Sequence, residues 1–250
     1  MVDRIEMLRE LGLTPIWRLR ARAVAQVVRD AAVARDAAVA EDAKLRSVGE
    51  SAPPADERLR RIATLEWRDF AHDVSACTAC ALCRTRNKAV PGVGDVRAQW
   101  LFVGEAPGAE EDAKGEPFVG QAGRLLDNML AALGMKRGEN VYIANVLKCR
   151  PPGNRTPEPL EIESCRPYLD RQIELIRPAL IIALGKSAAT TLLNVDATIA
   201  SLRGRLHRYR GVPLLVTYHP AYLLRNLPDK AKAWEDLCLA RATMQRLMTA

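Results

Sequence analysis

The sequence predicts an α/β fold, a parallel sheet covered by helices on both faces. Two observations predict it. From residue 100 onward, short apolar runs alternate with longer segments whose apolar residues recur at helical spacing. Strand, helix, strand, helix at this interval implies a parallel sheet. In addition, the apolar runs end in polar or unusual residues: "GEAPG", "NVLKCRPPGN", "GKS" and "YHPAYLL". Ligand sites of such sheets lie beyond the C-terminal ends of the strands, where these residues would gather.

The elements follow in order. Residues 1–36 read as helical, with Ile5, Leu8, Val24, Val27 and Val28 at loosely helical spacing, interrupted at Thr14 and Pro15. An Ala-rich tether and a Pro-containing linker come next, with no large side chains to pack. The segment "DERLRRIATLEWRDFAHDV" is a helix leading to the first cysteines. "WLFVGE" (100–105) is a strand. "QAGRLLDNMLAALG" (121–134) is a helix stopping at Gly134. "VYIANVL" (141–147) is a strand, 158–178 mostly helix, and "ALIIALG" (179–185) a buried strand followed by the short helix "KSAATTLLN". "GRLHRYRGVPLLVTYHP" is a hairpin feeding a last strand at 213–218. "DKAKAWEDLCLARATMQRLM" closes the chain as a helix.

Bulk properties narrow the function classes. The 250-residue chain is 48% hydrophobic, enough for a real core. No apolar run is long enough to span a bilayer, and the mixed charges of the first twenty residues are unlike a signal peptide. The expectation is an unprocessed cytoplasmic, bacterial protein. In a reducing compartment clustered cysteines bind metal or do redox chemistry more often than they form structural disulfides. The net charge is +7, of which residues 1–66 carry +1 and the remainder +6. That distribution suits a polyanion such as nucleic acid.

Three cysteines fall within "CTACALC", residues 77–83, in a chain that has six. Cys77 and Cys80 form a C-x2-C pair. Cys149 and Cys165 flank a Pro-rich loop. Four thiolates from two segments can hold zinc or a [4Fe–4S] cluster, and spacing leaves both open. Cys238, inside an amphipathic helix, reads as a buried free thiol.

The loop "GEAPGAEEDAKGEPFVGQAGRLLD" is rich in glycine, which lets backbone approach a ligand. It is not a phosphate loop, and the "GKS" at 185–187 lacks the upstream glycine spacing. Glu110, Glu111 and Asp112 could activate water or stabilise a cationic intermediate, or form a solvated turn. Phe118 stands where a core aromatic is not expected. Asn145 sits inside an apolar strand, where an amide needs a partner, either backbone or ligand. His219 ends the last strand, as a turn cap or a site residue.

Together, "CTAC", "GEAPGAEEDAKGEPFVGQAGRLLD", "NVLKCRPPGNRTPEPLEIESC" and "HPAYLLRN" resemble the family 4, iron–sulfur, uracil-DNA glycosylases over roughly residues 65–245. The basic, His-containing insertion of related members that crosslink to uracil DNA is absent from "KCRPPGNRTPEPL". The resemblance implies a three-layer α/β/α sandwich around a four-stranded parallel sheet. It implies a [4Fe–4S] cluster on Cys77, Cys80, Cys149 and Cys165, of structural role, with Cys83 standing apart. The implied reaction is hydrolysis of the bond between uracil and deoxyribose in single- or double-stranded DNA.

The same resemblance implies roles for particular residues. Phe118 stacks on the flipped base, Asn145 pairs with its O4 and N3–H edge, and His219 donates to O2. Glu105 and Glu111 match acids near the first strand, Glu111 positioning water or stabilising a cation. Asn154 lies in a loop near the active site. Leu223 and Leu224 wedge into the gap left by the base, and Arg225 meets phosphate. Ala106 is a departure, because other uracil-DNA glycosylases place an aspartate or asparagine there to hold the attacking water. Residues 66–250 form the catalytic domain on this reading. Residues 1–65, with Trp17, are an extension that docks a protein partner or packs passively. The competing reading is an iron–sulfur nucleic-acid-binding protein of the same fold without glycosylase activity.

Overall fold

The computed structural model describes residues 55–249. The helical reading of residues 1–36, the tether after it and Trp17 lie outside those residues. The chain begins with helices α1 (Ala55–Thr64) and α2 (Trp67–Ala76) and a 3-10 turn at Ala81–Arg84. Ile62 of α1 and Leu65 are already buried, in one cluster with Phe70 and Val74 of α2 and Tyr168. The packed domain therefore starts before residue 66, because α1 has an apolar face that needs this cover.

Six strands form one sheet: β1 (Val93–Gly94), β2 (Trp100–Gly104), β3 (Val141–Asn145), β4 (Leu180–Leu184), β5 (His207–Tyr209) and β6 (Val212–Thr217). Their order is β1-β3-β2-β4-β6-β5. The four inner strands are parallel, as expected. The two short edge strands are antiparallel additions. β5 and β6 are joined by Arg210 and Gly211, with φ of 47° and 83°. Two left-handed residues give the tight turn whose twist matches a hairpin.

Strands β2, β3 and β4 are buried along their whole length, which is why they read as unbroken apolar runs. Alternate side chains go to opposite faces. Leu101, Val103, Ala144, Ile181 and Val216 pack on one face with α5 (Pro159–Ile176) and α6 (Lys186–Leu193). Phe102, Ile143, Ile182 and Leu215 pack on the other with α4 (Gln121–Ala132) and α9 (Asp229–Thr249). Short helices α3 (Ala109–Lys114), α7 (Ile199–Leu202) and α8 (Pro220–Leu223) complete the chain. From β2 the chain passes to β3 on one side and then crosses to β4 on the other. The crevice at the C-terminal ends of these strands is where such sheets bind ligands.

Candidate active site and cysteine centre

A cavity of about 480 Å³ opens at this end of the sheet. Glu105, Ala106, Glu111, Phe118, Asn145, Asn154 and His219 all line it, together with Arg225. These residues come from the ends of β2, β3 and β6 and from the loops after β2 and β3.

Asn145 is the last residue of β3 and is 2% exposed. Its Oδ1 is buried and has no hydrogen-bond partner. An unpaired buried acceptor costs about 1–3 kcal/mol. Gly104 faces it across the β2–β3 ladder. A Cβ on Gly104 would lie 2.4 Å from Asn145 Oδ1 and 2.7 Å from the Phe118 ring. Only glycine lets the amide and the ring approach each other here.

Phe118 has φ of 55°, a left-handed conformation that a non-glycine residue adopts only when held. The holders are visible. Arg137 donates from Nη1 to the Pro117 carbonyl at 2.9 Å and from Nη2 to the Phe118 carbonyl at 2.8 Å, while its Nε meets Asp127 at 2.9 Å. Gly123, in the first turn of α4, leaves room for the Phe118 carbonyl, which would sit 1.8 Å from any Cβ there. The Phe118 ring faces that of His219, with centroids 5.4 Å apart.

His219 caps α8, its Nδ1 accepting the Ala221 backbone N–H at 3.1 Å. Burial, and then the positive charge of Arg225, push its pKa down to about 4. The ring is therefore neutral at pH 7.

The two glutamates differ. Burial raises the Glu105 pKa, with Ser187 acting in the opposite sense. Glu105 also borders a second cavity of about 420 Å³, beside Lys186 and Ser187. Glu111 accepts backbone N–H groups of Gly108, Val119 and Gly120 at 3.1, 3.0 and 3.2 Å. The same carboxylate, expected to position water or stabilise a cation, also holds the glycine-rich loop in place at the cavity wall. Half-buried Ala106 brings no polar side-chain atom to the cavity. Asn154 stands exposed at the rim, its Oδ1 accepting from Arg150 Nε at 2.7 Å.

The wedge expectation needs a correction. Leu223 is 1% exposed and packs with Tyr218 and Ala233. α8 turns it inward because an isolated short helix needs an apolar anchor, so it cannot enter DNA. Leu224, at 38% exposure, faces outward. Arg137, Ser187 and Tyr222 were missed from the sequence. Arg137 acts on backbone far from it in the chain, and no local pattern announces that.

Five of the six cysteines lie around one small void. Cys77 follows α2, Cys80 precedes the 3-10 turn, Cys149 follows β3, and Cys165 lies in α5. Cys83, expected to stand apart, lines the same small void. None of them is in a disulfide, and Cys238 lies half-buried in α9. Arg86 Nη1 donates to Cys149 Sγ at 2.9 Å, Lys148 N–H to Cys165 Sγ at 3.2 Å, and Arg58 Nη2 approaches Cys77 Sγ at 3.8 Å. Burial pushes the Cys165 pKa up to about 12 and also raises those of Cys80 and Cys149. Among the described residues, no three His, Cys, Asp or Glu side chains are gathered around a single ion's position. Also among them, no helix is long and apolar enough to cross a membrane.

Residues 91–238 match the family described as the Uracil DNA glycosylase superfamily. The Type-4 uracil-DNA glycosylase of Archaeoglobus fulgidus is 48% identical over 164 residues, covering 62% of this chain and 82% of the relative. That of Saccharolobus solfataricus is 46% identical over 67% of this chain and 81% of the relative. That of Thermotoga maritima is 42% identical over 69% and 92%. The chain belongs to the uracil-DNA glycosylase superfamily and, within it, to the type-4 branch.

Proposed function

We propose that this chain removes uracil from DNA by hydrolysing its N-glycosidic bond, leaving an abasic site for base excision repair. The observation that carries this reading is the buried, unpartnered Oδ1 of Asn145 facing a cavity. Such an atom lacks a partner until a ligand supplies one.

The uracil nucleotide leaves the base stack and enters the cavity. Phe118 stacks on the base. Asn145 Oδ1 accepts from N3–H and its amide N–H donates to O4. Cytosine presents the opposite pattern on that edge and leaves both groups unpaired. The C1′–N1 bond breaks, its electron pair moves onto the uracil ring, water oxygen bonds to C1′, and the proton that the water loses ends on the departing uracil. Nε2–H of neutral His219 donates to O2, where the charge develops, a stabilisation that donors of this kind supply at about 2.7–4 kcal/mol each. Glu105 is the carboxylate available to the water or to the cationic sugar. Ala106 brings no water-binding side chain, so leaving-group stabilisation carries much of the rate. Arg225 and exposed Leu224 meet the DNA at the mouth.

Cys77, Cys80, Cys149 and Cys165 would hold a [4Fe–4S] cluster, and the donor set fits. The thiols surround one void, and three N–H groups point at their sulfurs. Bound there, a cluster would cross-link the segment after α2 to the 149–165 segment, with no electron needed. The domain from α1 onward carries the activity, at the nucleoid, and the extension before it is a candidate for docking a protein partner.

The test is uracil release from a single-uracil oligonucleotide, single- and double-stranded, by the purified protein and by Asn145→Ala at equal iron content. Release by wild type, with at least a hundredfold loss in the variant, supports the reading. Wild-type binding without release would reduce the protein to a nucleic-acid-binding member of the fold.

A further inference from the structure

Lys148 is buried to 1% exposure, in the apolar run that leaves β3. Its side chain turns back along the strand. Nζ donates to the backbone carbonyl of Asn145 at 2.8 Å and to Gln172 Oε1 at 2.5 Å. Its backbone N–H donates to Cys165 Sγ at 3.2 Å, and its carbonyl accepts from Val90 at 2.8 Å. Gln172, on α5, is tied in turn to the Pro91 carbonyl at 2.8 Å and to the Tyr142 hydroxyl at 3.2 Å. One residue therefore touches both the strand end that presents the base-reading amide and the wall of the cysteine centre.

A buried ammonium is costly unless it is hydrogen-bonded and faces opposite charge. Both side-chain partners of Lys148 are neutral oxygens. Cys165 and Cys149, whose void Lys148 also lines, are the negative groups within electrostatic reach of its ammonium. Were a metal centre held there, its thiolates would supply that charge. A methionine would fill the same volume without the desolvation cost, so packing alone does not account for a lysine.

We propose that Lys148 is a positioning residue that couples the cysteine centre to the base-reading amide: its backbone N–H is tied to Cys165 Sγ while its ammonium fixes the backbone of Asn145. The proposal rests on the glycosylase reading above. It gives the cysteine centre a part in forming the uracil pocket without any electron transfer.

The test uses full-length, iron-loaded protein and the variants Lys148→Met, Asn145→Ala and the double variant. Iron content and visible absorption are read beside kcat/KM for uracil release. The expected result is a shifted absorption spectrum in Lys148→Met and a loss of about tenfold or more in kcat/KM. In the Asn145→Ala background the same change should cost less than about twofold, because residues acting as a unit are not additive. An equal loss in both backgrounds, or an unshifted spectrum, overturns the proposal. Should Lys148→Met not fold, Gln172→Leu, which removes the other support of the ammonium, runs the same cycle against the same criteria. Should wild type release no uracil, the glycosylase reading fails by itself, and the absorption spectrum alone then decides for or against the contact between Lys148 and the cysteine centre.

Discussion

The backbone N–H of Ala221 lies 3.1 Å from Nδ1 of His219, and this bond decides where the imidazole carries its proton. A neutral ring has one N–H. With Nδ1 accepting, that N–H is on Nε2. The donor offered to a leaving uracil is therefore built in by the first turn of α8.

The pH behaviour follows. The His219 pKa is about 4 in the folded chain and about 6.5 when unfolded. The folded state holds fewer protons, so the neutral ring's contribution is complete above pH about 6.5. It is lost as pH falls toward 4, by up to about 3 kcal/mol. Thermal melting between pH 7 and 4 should show a steeper decline for wild type than for His219→Gln. Parallel declines would refute the assignment. At pH 7, His219→Ala should lower kcat by about 10²–10³.

Arg137 holds Phe118 by its backbone, so its removal should loosen base stacking more than the chemistry. Arg137→Ala is expected to raise KM several-fold with a smaller change in kcat, since the stacking ring is still present. Gly123→Ala places a Cβ 1.8 Å from the Phe118 carbonyl and should be the more damaging of the two. Steady-state kinetics on one uracil oligonucleotide compare them. A pure kcat loss in Arg137→Ala would contradict this role.

The paired leucines should separate stability from DNA handling. Leu223→Ala empties a buried site and should cost about 2–5 kcal/mol in chemical denaturation. Leu224→Ala should change stability by less than about 0.5 kcal/mol and slow uracil release from double-stranded more than from single-stranded DNA. Equal stability losses would remove the distinction.

The two glutamates should separate in the same way. Glu111→Gln weakens a carboxylate that holds three backbone amides and should destabilise by about 1–3 kcal/mol. Glu105→Gln should lower kcat by about 10²–10⁴ with little loss of stability, because burial already disfavours its charge. The acidic limb of the wild-type rate profile should lie above the ordinary glutamate pKa of 4.5. A limb at or below that value would exclude Glu105 as the titrating group.

The sequence by itself determined the parallel sheet, since strands buried on both faces must be apolar along their length and need crossover helices between them. It also brought Glu105, Asn145 and His219 to one place, because polar groups at the ends of such strands have one end of the sheet to occupy. Tertiary structure decided what each residue does there. Leu223 and Leu224 are neighbours in one motif, yet the turn of α8 sends one into the core and the other to solvent. Glu105 and Glu111 are chemically alike, yet only Glu111 meets three backbone N–H groups that come from folding the loop over it. Cys83 joins the other thiols because the 3-10 turn curls it toward their void. Lys148 and Arg137 act on residues through backbone carbonyls, a contact to which side-chain identity at the far end contributes nothing. No linear pattern records such contacts, since they depend on distances that exist only once the chain is packed.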